Sequence, residues 1–385
     1  TARSALQKLP KDLAYRQFIE ARIAEENSDL DSAKTLYSSV VESADKEFAF
    51  SSARHLSLLL ILGKKWDEAT KMLEKAASLA QAEGFLEKDS IEFWSRYVKH
   101  RGKLPRSGEP YRYRSVYYWL EEGRKFTKPS EPDLVFPDRL ILRRFCPQNS
   151  KLLSKELRDR LLALQSYGLY DLIADEVKFA LPRSQDEEQM FNRISELSAY
   201  GASADAFRDL LSSSLMESAF HRRCMLNAIK ALYPVPFMEA FSDAATESGL
   251  EVALLLAIAR TESAFNPRAW SAKNAMGLMQ ILPSTAELEG IKASTAAQRN
   301  LLLSNPNTSA QLGAAHLKKL ITQYEGKWHY AIAAYNAGST VTNRWKQRFP
   351  DAPEELWVEL ISYKETRDYV KKVMAAYWIY SDLVL

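Results

Sequence analysis

The chain lacks any run of about 18 apolar residues, which excludes a helix able to cross a bilayer. Cysteine is almost missing. Cys146 and Cys224 stand far apart, in no metal or redox spacing, and both a disulfide between them and two buried thiols stay open. The five histidines form no HExxH or related cluster, so neither a metal nor another cofactor is expected. An excess of one charge is lacking too: 52 Lys+Arg against 49 Asp+Glu leave +3, too little to point to nucleic acid. Short alternating β-branched runs are nearly absent, and with them the signal for a sheet. The first residues, TARSALQKLPKD, show no signal peptide, which leaves a cytosolic protein or a processed form.

What is present is helix, over 385 residues that suffice for two or three domains with sizeable cores. DSAKTLY at 31–37 is echoed 36 residues on by DEATKML at 67–73. LLALQSYG, ending at Gly168, is echoed 33 residues on by ISELSAYG, ending at Gly201. Periods in the thirties with alanine on the packing faces predict stacked helical hairpins of the tetratricopeptide kind. An irregular helical bundle is the alternative. Two proline-bearing stretches, LPRSGEPYR at 104–112 and TKPSEPDLVFPDRL at 127–140, read as longer connections, since proline bars the helix before it. LYPVPF at 232–237 separates repeat-like hairpins from a different composition, and the boundary is placed there: 1–232 and 233–385.

Beyond that boundary a carboxylate sits oddly. In EVALLLAIARTES, Leu255, Ile258, Ala259 and Glu262 fall at i, i+3, i+4 and i+7, the spacing of one buried stripe. Asn266 and Pro267 end the helix soon after, so Glu262 lies in its last turn. The helix dipole and desolvation both disfavour the charged form there, which suits a general acid. A buried ion pair with Arg260 or Arg344 is the other reading. Next comes SAKNAMGLMQILPSTA, in which Gly277 allows a positive φ or close approach to a ligand. Leu278 and Met279 read as anchors of a loop that presents Gln280 as both donor and acceptor, and Pro283 opens a new helix. HYAIAAYNAGS reads as a closely packed helix ending in Tyr335 and Asn336, with Gly338 as its cap.

Taken in order, TES at 261–263, GLMQ at 277–280, AAYNAG at 333–338 and SYKETRDYV at 362–370 closely resemble the motif set of the soluble lytic transglycosylases. These are lysozyme-like enzymes that cleave bacterial peptidoglycan. The similarity spans roughly 233–385, and the N-terminal helices resemble the superhelical region of the larger members. The resemblance implies an all-α chain: an N-terminal α-superhelical repeat region followed by a lysozyme-like, mainly helical catalytic domain. It implies that Glu262 is the single catalytic acid/base, hydrogen-bonded by Tyr335, with Asn336 in support. Ser271 and Gln280 would bind sugar near the scissile bond, Met279 and Gly277 would shape the same floor, and Glu365 would line the groove. Three positions depart from the usual pattern: Asn274 for glycine, Ser362 for proline, and His316 where a groove tyrosine is expected. Asparagine tolerates the left-handed conformation, Ser362 would loosen a turn, and His316 either touches sugar or packs.

The same resemblance implies a reaction with one carboxylate, where ordinary glycosidases use two. Glu287, Glu289 and Glu325 are the other candidates, on what read as solvated helix faces. Trp328, Tyr330, Trp345 and Trp357 either stack on sugars or fill the core, and Tyr369, Tyr377 and Tyr380 read as core. A hydrolytic lysozyme of the same fold, and a silent peptidoglycan-binding scaffold, are the competing functions. The expected partners are peptidoglycan glycan strands and, through the helical repeats, other proteins; nucleic acid is not expected. The expected location is the periplasm.

Overall fold

The computed structural model describes residues 13–80, 85–103, 153–212, 232–293 and 295–384, with isolated positions 6, 9–10, 117, 120 and 229. Both proline-bearing stretches, 104–112 and 127–140, and both cysteines lie outside the described residues. Packing divides the chain into two compact units. One holds 1–109, 115–129 and 327–371; the other holds 110–114, 130–326 and 372–385. This division is more interleaved than the change of composition at LYPVPF.

The first unit begins with five helices: α1 (Ala14–Glu26), α2 (Leu30–Val41), α3 (Lys46–Leu62), α4 (Trp66–Leu79) and α5 (Phe85–Lys99). Asp29 and Asp45 start α2 and α3 by accepting backbone N–H groups that a helix end leaves unpaired, from Ser32 and Glu47 at 3.2 Å each. DSAKTLY and DEATKML are the cores of α2 and α4, each packed against the helix before it, as the repeat reading requires. Ala33 and Ala69 are fully buried at these contacts, where a methyl lets two helices approach closely. Helix α3 packs on both α2 and α4. Most of its residues are therefore buried, Arg54 and His55 among them.

The second unit continues with α6 (Lys155–Ser166), α7 (Tyr170–Ala180), α8 (Glu187–Ala199) and α9 (Ser203–Leu211). LLALQSYG and ISELSAYG close α6 and α8, and Gly168 (φ +68) and Gly201 (φ +87) make the left-handed turns into the next helices. Then come α10 (Met238–Ser248), α11 (Val252–Ser263), α12 (Pro283–Leu288), α13 (Ala296–Leu303) and α14 (Pro306–Gln323). Pro283 opens α12 as expected, and Asn305 caps α14 by accepting from Thr308 N at 3.1 Å. Helix α11 differs from the expected stripe. All seven residues from Ala253 to Ala259 are buried, because α10, α14 and the π turn at Tyr380–Val384 enclose it. A helix buried all round has no periodic stripe to read.

The first unit resumes with α15 (Trp328–Ala337), α16 (Ser339–Arg348), α17 (Glu354–Glu359) and the first half of α18 (Lys364–Ile379). Trp328, Tyr330, Trp345 and Trp357 are each under 5 % exposed, so all four fill the core rather than offer a sugar platform. Tyr330 and Trp357 meet edge to face at 4.5 Å. Tyr369, Tyr377 and Tyr380 are buried as expected; Tyr377 donates to Glu251 at 2.7 Å and Tyr380 to Pro234 O at 2.8 Å. Among the described residues there is no strand, only isolated bridges at Trp270–Met276 and Met276–Ile281, and the fold is all-α.

Candidate active site

Glu262 is half-buried in the last turn of α11. The helix stops at Ser263 because Ala264 (φ +49) and Phe265 (φ +62) both turn left-handed, at roughly 1 kcal/mol or more for each side chain bearing a Cβ. Asn274 (φ +64) and Gln280 (φ +48) follow in the same conformation. Strain held at four non-glycine positions between Ala264 and Gln280 marks a backbone fixed by its surroundings. Arg260 donates to Leu232 O at 3.0 Å, with its guanidinium 4.0 Å over the Tyr233 ring.

The surroundings of the 269–281 loop are specific. Ser263, next to Glu262, donates to Leu278 O at 2.9 Å and so ties the loop to the end of α11. Met279 N donates to Ser309 Oγ on α14 at 3.2 Å. The Met279 side chain is fully buried against Gly313, where an added Cβ would lie 2.6 Å from it. Gly277 has φ +76 and no room for a side chain: a Cβ there would lie 2.0 Å from Leu303 O. Leu278 and Met279 are thus the anchors that the pattern suggested.

Two polar residues do more for the loop than expected. The Gln280 amide nitrogen donates to Ala269 O and Gly277 O, both at 3.1 Å. Both its hydrogens are committed, so only its carbonyl oxygen can serve a ligand, not donor and acceptor together. Ser271 Oγ accepts from Lys273 N at 3.2 Å and Ala275 N at 3.0 Å, bonds that do not use its O–H donor.

His316, on α14, lies with Nδ1 3.8 Å from Glu289 Oε1. Burial pushes the imidazole below its ordinary pKa; the Glu289 charge opposes this and the Lys319 charge adds to it. Glu289 itself corrects an expectation. Its carboxylate is 7 % exposed and held by Lys319 at 2.7 Å, so it is no solvated helix face. Glu287 and Glu325 are exposed, as expected.

In the other unit, Tyr335 and Asn336 are half-buried at the end of α15, and Gly338 closes that helix by donating to Ala334 O at 2.8 Å. Thr366 donates to Asn336 Oδ1 at 2.6 Å, so the motif on α18 orients the motif on α15. Glu365 is exposed in the first turn of α18. Ser362 is not loose. Its hydroxyl donates to Glu26 and accepts from Arg348 Nη1 at 3.1 Å, while Arg22 donates to its carbonyl at 3.1 Å. Behind this turn lies a buried charge network. Arg54 pairs with Glu359 and, at 3.1 Å, with Glu87; Lys371 meets Glu359 at 2.6 Å and donates to Tyr117 at 2.7 Å. Burial alone would raise the Glu359 pKa, but Lys371 and Arg54 outweigh it and hold it at about 2.

The structure therefore gathers Ser271, Gly277, Met279 and Gln280 into one loop tied to the Glu262 helix, with His316 on the neighbouring α14. Separately it gathers Asn336, Thr366 and the Ser362 turn, with Glu365 beside them. Sequence reasoning missed Trp270, which is 58 % exposed immediately before Ser271. The signal was there, a bulky aromatic in an otherwise small-residue loop. It also missed the charge network, for which no local signal exists.

Residues 239–358 match the transglycosylase SLT domain. A relative from Haemophilus influenzae is 34 % identical over 190 residues, covering 49 % of this chain and 31 % of its own length. The soluble lytic murein transglycosylase of Salmonella typhimurium is 33 % identical over 145 residues, 37 % of this chain and 22 % of its own length. This chain thus spans a third or less of these relatives. The solved structure of an inactive mutant of the lytic transglycosylase Slt from Pseudomonas aeruginosa superimposes with a TM-score of 0.62 at 22 % identity, over 96 % of this chain and 57 % of that one. This chain thus carries a transglycosylase SLT domain at residues 239–358 and is similar in sequence to soluble lytic murein transglycosylases over part of their length.

Proposed function

We propose that the chain is a peptidoglycan lytic transglycosylase that acts in the bacterial periplasm. It cleaves the β-1,4 bond between N-acetylmuramic acid and N-acetylglucosamine without consuming water. The observation that carries the reading is the end of α11: Glu262 followed by two left-handed residues and tied through Ser263 to the GLMQ loop. Such a strained, over-determined helix end suits a carboxyl that must keep one position, and the loop tied to it carries Gly277, Met279 and Gln280, the residues this reading assigns to the floor.

In this mechanism Glu262 begins protonated. It donates to the bridging oxygen as the C1–O bond breaks, and the 2-acetamido carbonyl of the muramic acid stabilises the cationic C1. The Glu262 carboxylate then takes the proton of the C6 hydroxyl of the same sugar as O6 bonds to C1. A 1,6-anhydro end results, and Glu262 is protonated again. An intramolecular hydroxyl has an effective concentration that competes with water. The Ser271 O–H and the Gln280 carbonyl oxygen are the loop groups suited to sugar hydroxyl and amide partners. Tyr335, Asn336, His316 and Glu365 keep the roles the resemblance implies. The division into a repeat region, 1–232, and a catalytic region, 233–385, belongs to the same proposal, with the repeats available to protein partners.

Purified peptidoglycan digested by the wild type and by Glu262→Gln, with products weighed by mass spectrometry, tests the reading. Anhydro ends, lighter by one water than hydrolysed ends, are expected from the wild type and none from the variant. Hydrolysed ends, or undiminished turnover by Glu262→Gln, would refute it.

A further inference from the structure

Trp270 stands apart from the other aromatic rings around the motifs. Among the described residues of 232–326 it is the one aromatic side chain with more than a third of its surface exposed, at 58 %. The ring is nevertheless held. Its backbone forms an antiparallel bridge with Met276, and its indole N–H donates to Asn274 Oδ1 at 3.2 Å. Asn274 is itself fixed, at φ +64, with its N–H on Ser271 O at 2.9 Å, while Ser271 N donates to Ala275 O at 2.9 Å. The preceding residue, Ala269, accepts from both Gly277 N at 3.0 Å and the Gln280 amide at 3.1 Å. An exposed indole on a backbone this constrained is a rigid apolar surface. It adjoins the two polar groups assigned to sugar binding.

We propose that Trp270 is a stacking platform for one pyranose ring of the glycan strand, and that Asn274 is its positioning residue. Gluco-configured rings carry their substituents equatorially, so each face is a sheet of C–H bonds, which suits an aromatic face. Asn274 thereby explains its own departure from glycine: it adopts the same left-handed turn and adds the acceptor that orients the indole. The inference rests on the proposed function for the identity of the ligand.

The test is steady-state turnover of purified, uncrosslinked glycan strands by the wild type, Trp270→Ala, Trp270→Tyr and Asn274→Gly, with strand binding measured in parallel by equilibrium sedimentation. Trp270→Ala is expected to raise KM and the strand dissociation constant about tenfold, with kcat changing less than about twofold. Trp270→Tyr retains most of the affinity, and Asn274→Gly weakens it about threefold by freeing the ring. Unchanged KM in Trp270→Ala alongside active wild type overturns the inference. So does a loss of kcat with altered near-ultraviolet dichroism, which makes the ring a structural prop, or a change of oligomeric state, which makes it a contact between copies. If the wild type binds strands without cleaving them and Trp270→Ala loses the binding, the platform stands while the proposed reaction fails.

Discussion

Replacing Gly277 by alanine tests how tightly the candidate floor is built. A Cβ at this position would lie 2.0 Å from Leu303 O and 2.8 Å from Ser309 Oγ. A relaxed contact needs at least about 3 Å, so carbon and carbonyl oxygen must part by about 1 Å. Leu303 O is backbone, and no rotamer change relieves it. The φ of +76 adds strain of about 1 kcal/mol, which brings the total to about 2–4 kcal/mol with the overpacking. That is within the 5–15 kcal/mol stability typical of a domain, so the fold survives. The loop position does not. A shift of about 1 Å beside Met279 and Gln280 exceeds the roughly 0.5 Å that a catalytic constellation tolerates, and it costs about 100-fold in rate. The assay pairs muropeptide release with thermal melting. Gly290→Ala is the control: φ there is +93, but nothing lies within 4 Å, so it carries strain alone and keeps its activity. Retention of more than about a tenth of the rate by Gly277→Ala would refute the reasoning, as would an equal loss from Gly290→Ala.

Three further outcomes follow from the first unit. Arg54→Met leaves Glu359 and Glu87 buried without their shared guanidinium and should cost about 3–5 kcal/mol by urea unfolding, with part recovered in Arg54→Met/Glu359→Gln; a cost below about 1 kcal/mol sinks the network as a structural tie. Acidification should weaken the unit in two stages. Burial lowers the His329 imidazole to about 3 and the His55 imidazole well below its ordinary 6.5, so their contribution is present above about pH 6.5 and is lost as pH falls below it, at up to about 1.4 kcal/mol per pH unit each. Glu87 and Glu359, both at about 2 against an ordinary 4.5, add a second loss below about pH 4.5; a melting temperature flat from pH 7 to 4 contradicts this account. Finally, Ser362→Pro removes the hydroxyl that Glu26 accepts, so Glu26→Gln should destabilise the wild type by about 1 kcal/mol more than it destabilises Ser362→Pro; a strictly additive cycle rules the clamp out.

Local chemistry was legible in the residues, and long-range packing was not. The hairpin helices, the Pro283 start, the Gly338 cap and the positive φ at Asn274 and Gly277 all follow from what one residue type permits within a few neighbours. The motif order pointed to the family for the same reason, since each motif is a continuous segment. The four aromatics at 328, 330, 345 and 357 were ambiguous because an indole or phenol is equally suited to a core and to a sugar. Only neighbours such as the Trp357–Tyr330 edge-to-face contact decide. Glu289 was misread because Lys319, its partner, comes 30 residues later on another helix. The Arg54–Glu359 pair spans 305 residues, and no window of sequence holds both ends. Helix α11 misled in a different way: when every face is buried, periodicity carries no information about where a glutamate points.

The three departures from the family pattern share a physical logic. Asn274 keeps the left-handed backbone that glycine would allow and gains an acceptor for the Trp270 indole. Ser362 gives up the rigidity of proline, and its turn is held instead by three side chains, Glu26, Arg348 and Arg22, the first and last of them on α1. Their bonds bring down the Glu26 carboxyl, which burial alone would raise, so the clamp is charged at neutral pH. His316 sits close to Glu289, a carboxylate that Lys319 also pairs with, and burial pushes the imidazole below its ordinary pKa. In each case the chain holds the position by a set of bonds of its own. In the proposed mechanism Glu262 has no such substitute, because that role requires a proton to leave and return at one place. The motif positions should therefore divide on mutation. Those held by backbone conformation will accept a replacement once its partner is changed with it, while Glu262 will accept none.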